Sequence, residues 1–343
     1  MTDSELTKLI ISTSIGADSL MEEAQDDAET TPDVELRYVS VPVQNHGNRL
    51  DKVLATLVPE FSRSYLQQLI EAGGVRVKDR KNLKTSAKVN AGDELSVELR
   101  PTPQSQAFKP EVMALDIVYQ DDHLLVINKP AGLVVHPAPG NWSGTLLNGL
   151  LAHDAHASFM PRAGIVHRLD KDTSGLMVVA RQRHTMDQLV GMIAARTVSR
   201  EYIALGHGAW VGGKSRQVEA PIGRDPRNRL RMAVVDLDRN AGKAASTVIS
   251  VLDSVDAYCL VKCRLHTGRT HQIRVHMAHL DHLLVADALY GGERAGNLDR
   301  QALHACRLAF THPVTGELLE FISPMPPDLL GAVKRLGLRY NEG

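Results

Sequence analysis

The densest grouping of reactive side chains is Gly164-Ile165-Val166-His167-Arg168-Leu169-Asp170-Lys171-Asp172-Thr173-Ser174-Gly175, which runs straight into the apolar stretch Leu176 to Ala180. Charged groups on a loop leading into a buried strand are costly to strip of water, so they either satisfy one another or do chemistry. A carboxylate such as Asp170 in that setting can serve as nucleophile or base. On its residues alone, the same loop reads equally well as a charged turn ahead of a strand.

Three further patterns invite chemistry. Gly208 to Ser215 satisfies GxxxxGK[ST] and follows a strand-like Tyr202 to Gly206. A phosphate cradle needs a helix after the loop, whereas Arg216 to Pro221 reads as an extended stretch ended by proline, so a glycine-rich turn is expected. His271, His276, His279 and His282 suggest a metal site. On a helix, 276 and 279 share a face, but 282 falls roughly 120° away from 276. No HExxH occurs and no cysteine lies within the series, so structural or RNA-contacting histidines are expected, and no metal. Ser174, near His167 and Asp170, lacks the GxSxG elbow of a serine hydrolase.

The His167 to Gly175 loop resembles the signature loop of the RluA-type pseudouridine synthases. Other landmarks of that family follow suit: Ile127-Asn128-Lys129-Pro130 with Val135-His136-Pro137, Arg200-Glu201-Tyr202, the run Thr267-Gly268-Arg269-Thr270-His271-Gln272-Ile273-Arg274-Val275-His276, and Leu303-His304-Ala305. The resemblance covers about residues 40 to 330. It implies an enzyme that breaks the N1–C1′ bond of a uridine in structured RNA, turns the freed uracil and joins C5 to C1′, with no metal or organic cofactor. Asp170 then matches the catalytic carboxylate and Arg274 the cation paired with it. Tyr202 matches the aromatic residue that lies against the base and is able to pass a proton. Arg168 matches the residue that fills the space a flipped-out uridine leaves, with His167 and Arg269 as further substrate contacts. One run departs from the family: Asp281-His282-Leu283-Leu284-Val285-Ala286-Asp287 stands where a Gly-His-Pro-Leu-Val-Gly-Asp-like sequence is usual, which puts the shape of that loop in question.

These residues need a scaffold. From about 112 to 330, short apolar runs such as Leu124 to Ile127 and Leu176 to Ala180 alternate with helical stretches such as Met186 to Ala195, without a regular βαβ rhythm. That predicts an α+β domain around a mixed, largely antiparallel sheet, followed by a C-terminal tail from 331. Upstream, Leu50, Val53, Leu54 and Leu57 give one apolar helical face. A second helix is bounded by Ser62 and Ser64 as caps and by Gly73 and Gly74, with Leu66, Leu69 and Ile70 as its buried face. Val75 to Lys78 and Leu95 to Leu99 alternate as strands do. This stretch, 37–100, resembles the S4 RNA-binding module, and Arg49, Arg63, Arg76, Lys78, Arg80, Lys81 and Lys84 are its expected RNA contacts. Residues 101–111, rich in proline, form an expected hinge.

Residues 1–36 carry ten acids against Lys8 and read as a mobile tail; the remaining chain holds 38 basic and 30 acidic residues. Such a basic body suits a polyanion without requiring one. Cys259, Cys263 and Cys306 form no disulfide framework and are expected reduced and buried. No apolar run reaches the ~18 residues of a membrane helix, and the N-terminus lacks a basic signal region, so a cytoplasmic protein is expected; a monomer is its expected state. The resemblance points to 23S rRNA or the assembling large subunit as partner. A transfer-RNA synthase, a catalytically silent ribosome-assembly factor and a metal-dependent hydrolase are the rivals. The joint presence of Asp170, Tyr202 and Arg274 argues against silence, since an idle protein has no physical reason to keep a costly charged pocket.

Overall fold

Period-two alternation makes strands covered on one face, and continuous apolar runs make strands covered on both. The chain uses the two in different places. The computed structural model describes residues 35–341 apart from Glu60, Ser62, Asp79, Asn82, 100–106 and Pro139. The chain divides into two units between Pro101 and Thr102. The acidic segment lies outside the described residues except for Glu35 and Leu36, which already belong to a strand. Most of the proline-rich segment and the cap Ser62 lie outside them too.

In the first unit, β1 (Glu35–Ser40), β3 (Glu94–Leu99) and β2 (Val75–Val77) form an antiparallel sheet in the order β1-β3-β2. Helices α1 (Leu50–Leu57) and α2 (Arg63–Glu71) bury Leu50, Val53, Leu54, Leu66, Leu69 and Ile70 against Val75, Val77, Leu95 and Val97. Ser64, expected as a cap, is the second residue of α2. A charged knot ties the helices. Asp51, fully buried, accepts hydrogen bonds from Arg49 (3.0 Å), Arg63 (2.6 Å) and Gln67 (2.8 Å).

Burial alone would raise the Asp51 pKa, but the bonds from Arg49, Arg63 and Gln67 prevail and hold it far below the usual carboxylate range. A depressed carboxylate stabilises the fold above its unfolded pKa, and that contribution fades as pH drops below roughly 4. Both guanidiniums are half exposed, so water replaces part of what they lose; Asp51→Ala is expected to cost the unit about 2 kcal/mol. Denaturant melts at pH 7 and pH 3 check this: the deficit should be clear at pH 7 and shrink at pH 3.

The second unit is built on a nine-stranded sheet. Its path runs β4 (Ile117–Gln120), β5 (Leu124–Lys129), β6 (Ser174–Ala180), β14 (Leu303–Thr311), β7 (Ser199–His207), β13 (Tyr258–Leu265), β12 (Ser246–Val255), β8 (Ser215–Glu219), with β15 (Leu318–Ile322) also paired to β14. Three short strands, β9 (Ile222–Arg224), β10 (Met232–Val234) and β11 (Gly242–Lys243), form a separate small sheet. Leu125, Ile127, Met177, Val179 and Tyr202 pack on one face of the large sheet, and Leu124, Val126, Leu176, Val178 and Phe310 on the other. Helices α3 (Leu146–His153), α4 (Arg183–Ala194), α5 (Gln272–His279) and α6 (Pro327–Arg335) complete the unit.

Every pairing in the large sheet is antiparallel except β6 with β14, where Ser174 and Gly175 face His304 and Ala305. Gly175 has φ +112°, and a Cβ there would lie 2.2 Å from the Ala305 carbonyl oxygen. Only glycine permits that approach, and it fixes the loop that ends at β6.

One expectation needs correction, and one open point is answered. The segment from 331 is no tail: residues to Arg335 continue α6, and Leu329, Ala332, Val333 and Leu338 are core. The departing run after His279 keeps a glycine-like backbone, with Asp281 (φ 63°) and Ala286 (φ 58°) in the left-handed region. Hydrogen bonds from His282 N–H to Met277 O (2.9 Å) and from Ala286 N–H to Glu293 O (2.8 Å) hold that shape despite the side chains.

Candidate active site

The loop carrying Asp170 is held through its own carbonyls. Thr173 N–H donates to Asp170 O, Gly132 N–H and Lys129 Nζ donate to Lys171 O, and Arg300 Nη1 donates to Asp172 O. Lys129 is fully buried, and its ammonium also donates to Pro130 O and Leu133 O. Burial pushes its pKa down to about 8, which leaves it charged at neutral pH, as three carbonyl acceptors require.

Held in this way, the Asp170 side chain meets Arg274 on α5: Nη1 donates to Oδ2 at 3.1 Å. Arg274 is more strongly engaged elsewhere, with Nε and Nη2 each donating to a different oxygen of Asp287 at 2.7 Å. Burial would lower the Arg274 pKa, but the bonds and charges of Asp287 and Asp170 outweigh it and raise it. The guanidinium also lies 4.9 Å from the centre of the Tyr290 ring. The Tyr290 hydroxyl is 2.9 Å from His271 Nδ1, and His271 Nε2 stands 3.8 Å from Asp170 Oδ1. Asp287 and Tyr290 had no role assigned from sequence, and His271 was expected only as a structural or RNA-contacting histidine. Asp287 lay in the departing run and Tyr290 just beyond it, where no local pattern marks them.

Asp170, Tyr202 and Arg274 line one cleft of about 700 Å³. Six arginines line it as well (162, 168, 196, 200, 269 and 274), and Asp170 is the sole acid among the lining residues. Their field is visible on His136, which burial and the charges of Arg168 and Arg162 push down to about 4. Tyr202 on β7 is 5% exposed, and burial pushes its phenol up to about 12, so it is neutral at physiological pH. It presents a ring and an O–H, not a phenolate. Tyr202→Phe should therefore retain far more activity than Tyr202→Ala, by ~10-fold or more, if stacking dominates; equal losses would assign the role to the hydroxyl. Single-turnover rates of both variants decide it.

Of the other expected substrate contacts, Arg168 is exposed at the cleft and Arg269 is anchored by Nε to Ala244 O at 3.0 Å. His167 faces inward: its Nε2 accepts the Val178 N–H at 3.1 Å. Burial, then the charge of Arg200, pushes its pKa down to about 3. The imidazole is neutral, so its proton sits on Nδ1, which has no partner among the described residues. In the first unit, Arg76 pairs with Glu98 and Lys78 with Asp93, beside the Arg49 and Arg63 bonds to Asp51. Arg80, Lys81 and Lys84 are exposed.

The remaining patterns resolve into structure. A strand, β8, follows Gly208 to Lys214 where a phosphate cradle needs a helix. His276 bonds Thr247 Oγ1 (2.8 Å) and Ala220 O (3.0 Å), and His282 bonds His207 O (2.9 Å). Ser174 Oγ is 3.0 Å from Nδ1 of His304, not His167.

Comparison with known proteins agrees with this geometry. Residues 123–279 match the family model described as RNA pseudouridylate synthase, and 48–95 match the S4 domain. The ribosomal large subunit pseudouridine synthase D of Neisseria meningitidis serogroup B is 50% identical over 302 residues, spanning 85% of this chain and 79% of that protein. The protein of the same name from Xanthomonas campestris pv. campestris is 44% identical over 317 residues, 89% and 93% of the two chains. An uncharacterized RNA pseudouridine synthase of Bacillus subtilis, YlyB, is 41% identical across 87% and 97%. Among solved structures, human RNA pseudouridylate synthase domain containing 1 aligns with TM-score 0.51 and 28% identity, covering 64% of this chain and 87% of its own.

Proposed function

Because this chain belongs to the RNA pseudouridylate synthase family, we propose that the uridines it isomerises lie in 23S rRNA of the large ribosomal subunit. The reaction balances internally: N1–C1′ breaks, C5–C1′ forms, the proton leaving C5 is matched by one gained at N1, and no outside reagent enters. In this reading Asp170 is the nucleophile or base, Arg274 holds and orients it, and Tyr202 lies against the uracil. Arg168, His167 and Arg269 contact the flipped nucleotide and the space it leaves. The observation that carries the assignment is the Asp170 carboxylate bonded to Arg274 in a cleft lined by six arginines.

The substrate is argued from the names of the relatives and from the S4 domain. Residues 37–100, with exposed Arg80, Lys81 and Lys84, supply a second phosphate-binding surface, and 112–330 supply the catalytic one. Two tethered surfaces gain affinity only on an RNA large enough to engage both. Removing residues 1–100 should therefore weaken action on large-subunit RNA more than action on a short stem-loop, and flatten the salt dependence of binding. Mapping pseudouridines in total RNA from cells with and without the gene tests the whole reading. Sites lost from the large subunit support it, whereas losses confined to transfer RNA would favour the rival substrate.

A further inference from the structure

Arg200 differs from every other charged group of the cleft described above. A guanidinium remains charged at any physiological pH, and a charge withdrawn from water without a partner is strongly unfavourable. Arg274 meets that demand with two carboxylates. Arg200 is 6% exposed, yet among the described residues no hydrogen bond or ion pair engages its side chain, and its Nε is buried without an acceptor. It lies on β7 two residues before Tyr202, so both side chains leave the same face of the strand, and both line the cleft. The chain makes room for it: a Cβ on Gly268 would stand 2.8 Å from its Nη1.

A second donor lies close by. The neutral His167 ring carries its proton on Nδ1, which is likewise buried and unpartnered, and the charge of Arg200 is among the causes that keep the ring neutral. Both residues line the same cleft, and only Arg200 brings a full positive charge. Among the described residues no carboxylate is bonded to Arg200, and Asp170, the sole acid of the lining, is bonded to Arg274. A uracil carbonyl is uncharged and cannot offset a guanidinium. RNA supplies one full negative charge per nucleotide.

On the synthase reading, we infer that Arg200, through the end of its guanidinium, seats a backbone phosphate flanking the target uridine. The RNA provides the partner that the described residues lack. The site is a positioning device: it fixes the nucleotide whose base lies against Tyr202, and Gly268 stays open so that the guanidinium can take this place.

The test uses the full chain and a short RNA that the wild type converts, carrying a single methylphosphonate at either phosphate flanking the target. Pseudouridine formation on the unmodified RNA comes first. If the wild type forms none, the functional reading fails before Arg200 is involved. Given turnover, Arg200→Met should weaken RNA binding at least ~30-fold and reduce the slope of log Kd against log salt by a little under one. The Tm without RNA should equal or exceed that of the wild type, because an uncompensated buried charge has gone. Gly268→Ala, which pushes the guanidinium aside, should lie between the two. One methylphosphonate should weaken the wild type by a similar factor and leave Arg200→Met indifferent. The inference is overturned by an unchanged Kd and slope, by a methylphosphonate penalty that persists in Arg200→Met, by a lowered Tm without RNA, or by a loss confined to kcat, which would move Arg200 to the uracil.

Discussion

Asp170→Asn is expected to abolish isomerisation, lowering turnover by ~10⁴-fold or more, with the fold and RNA affinity near those of the wild type. The amide keeps the size and planarity of the carboxylate but loses both nucleophilicity and basicity. The substitution is mild structurally because the loop is not held by this side chain. Its carbonyls are gripped by Thr173, Gly132, Lys129 and Arg300, and Gly175 locks its end against Ala305. Arg274 keeps its bidentate bond to Asp287 and is not left unpaired. Removing one negative charge from a cleft lined by six arginines should, if anything, tighten RNA binding. Quantifying pseudouridine after long incubation, alongside a thermal melt, tests this. Turnover above about one per cent of wild type, once deamidation back to aspartate is excluded by mass, would contradict the assignment of Asp170.

The contrast between Asp170 and its surroundings shows what a linear sequence reveals. Asp170 sits inside a contiguous polar loop before an apolar strand, and a local anomaly of that kind is visible without a structure. The helical faces of α1 and α2 and the strands β2 and β3 were legible from periodicities of about 3.6 and two, and β5 and β6 from continuous apolar runs. Asp287 was not legible, because its significance is a pairing with Arg274 made across a loop whose sequence departs from the family. Nor was the isolation of Arg200, since a basic residue at the start of a strand signals nothing until its neighbours are known to lack carboxylates. The tail drawn from residue 331 failed differently. Leu329, Ala332 and Val333 carry the apolar spacing of α6, and its opening prolines fit the first turn of a helix. In the S4 unit, the resemblance and the basic segment gave seven expected RNA contacts. Asp51 takes two of them, Arg49 and Arg63, into its own hydrogen bonds.

The Arg274 and Asp287 pair yields the second large effect, and one that separates structure from chemistry. Asp287→Ala leaves two guanidinium N–H groups buried without acceptors, so a stability loss of about 3 kcal/mol is expected. The freed fork can then rotate to grip Asp170 with two bonds in place of one. That would withdraw electron density from the carboxylate proposed to react and shift it within the cleft, and turnover should fall ~10²-fold. Arg274→Lys should also be impaired, because a point charge cannot span two carboxylates as the planar fork does. Replacing both partners, Arg274→Met with Asp287→Leu, removes the buried ions together. An apolar pair of similar volume is often as stable as the salt bridge it replaces, so the double variant should regain most of the stability that Asp287→Ala loses. It should not regain activity, because Asp170 would still lack the cation that aims it. Melts and single-turnover rates on the same three proteins give the answer: recovery of both stability and rate in the double variant would reduce Arg274 to a packing element and remove it from the mechanism.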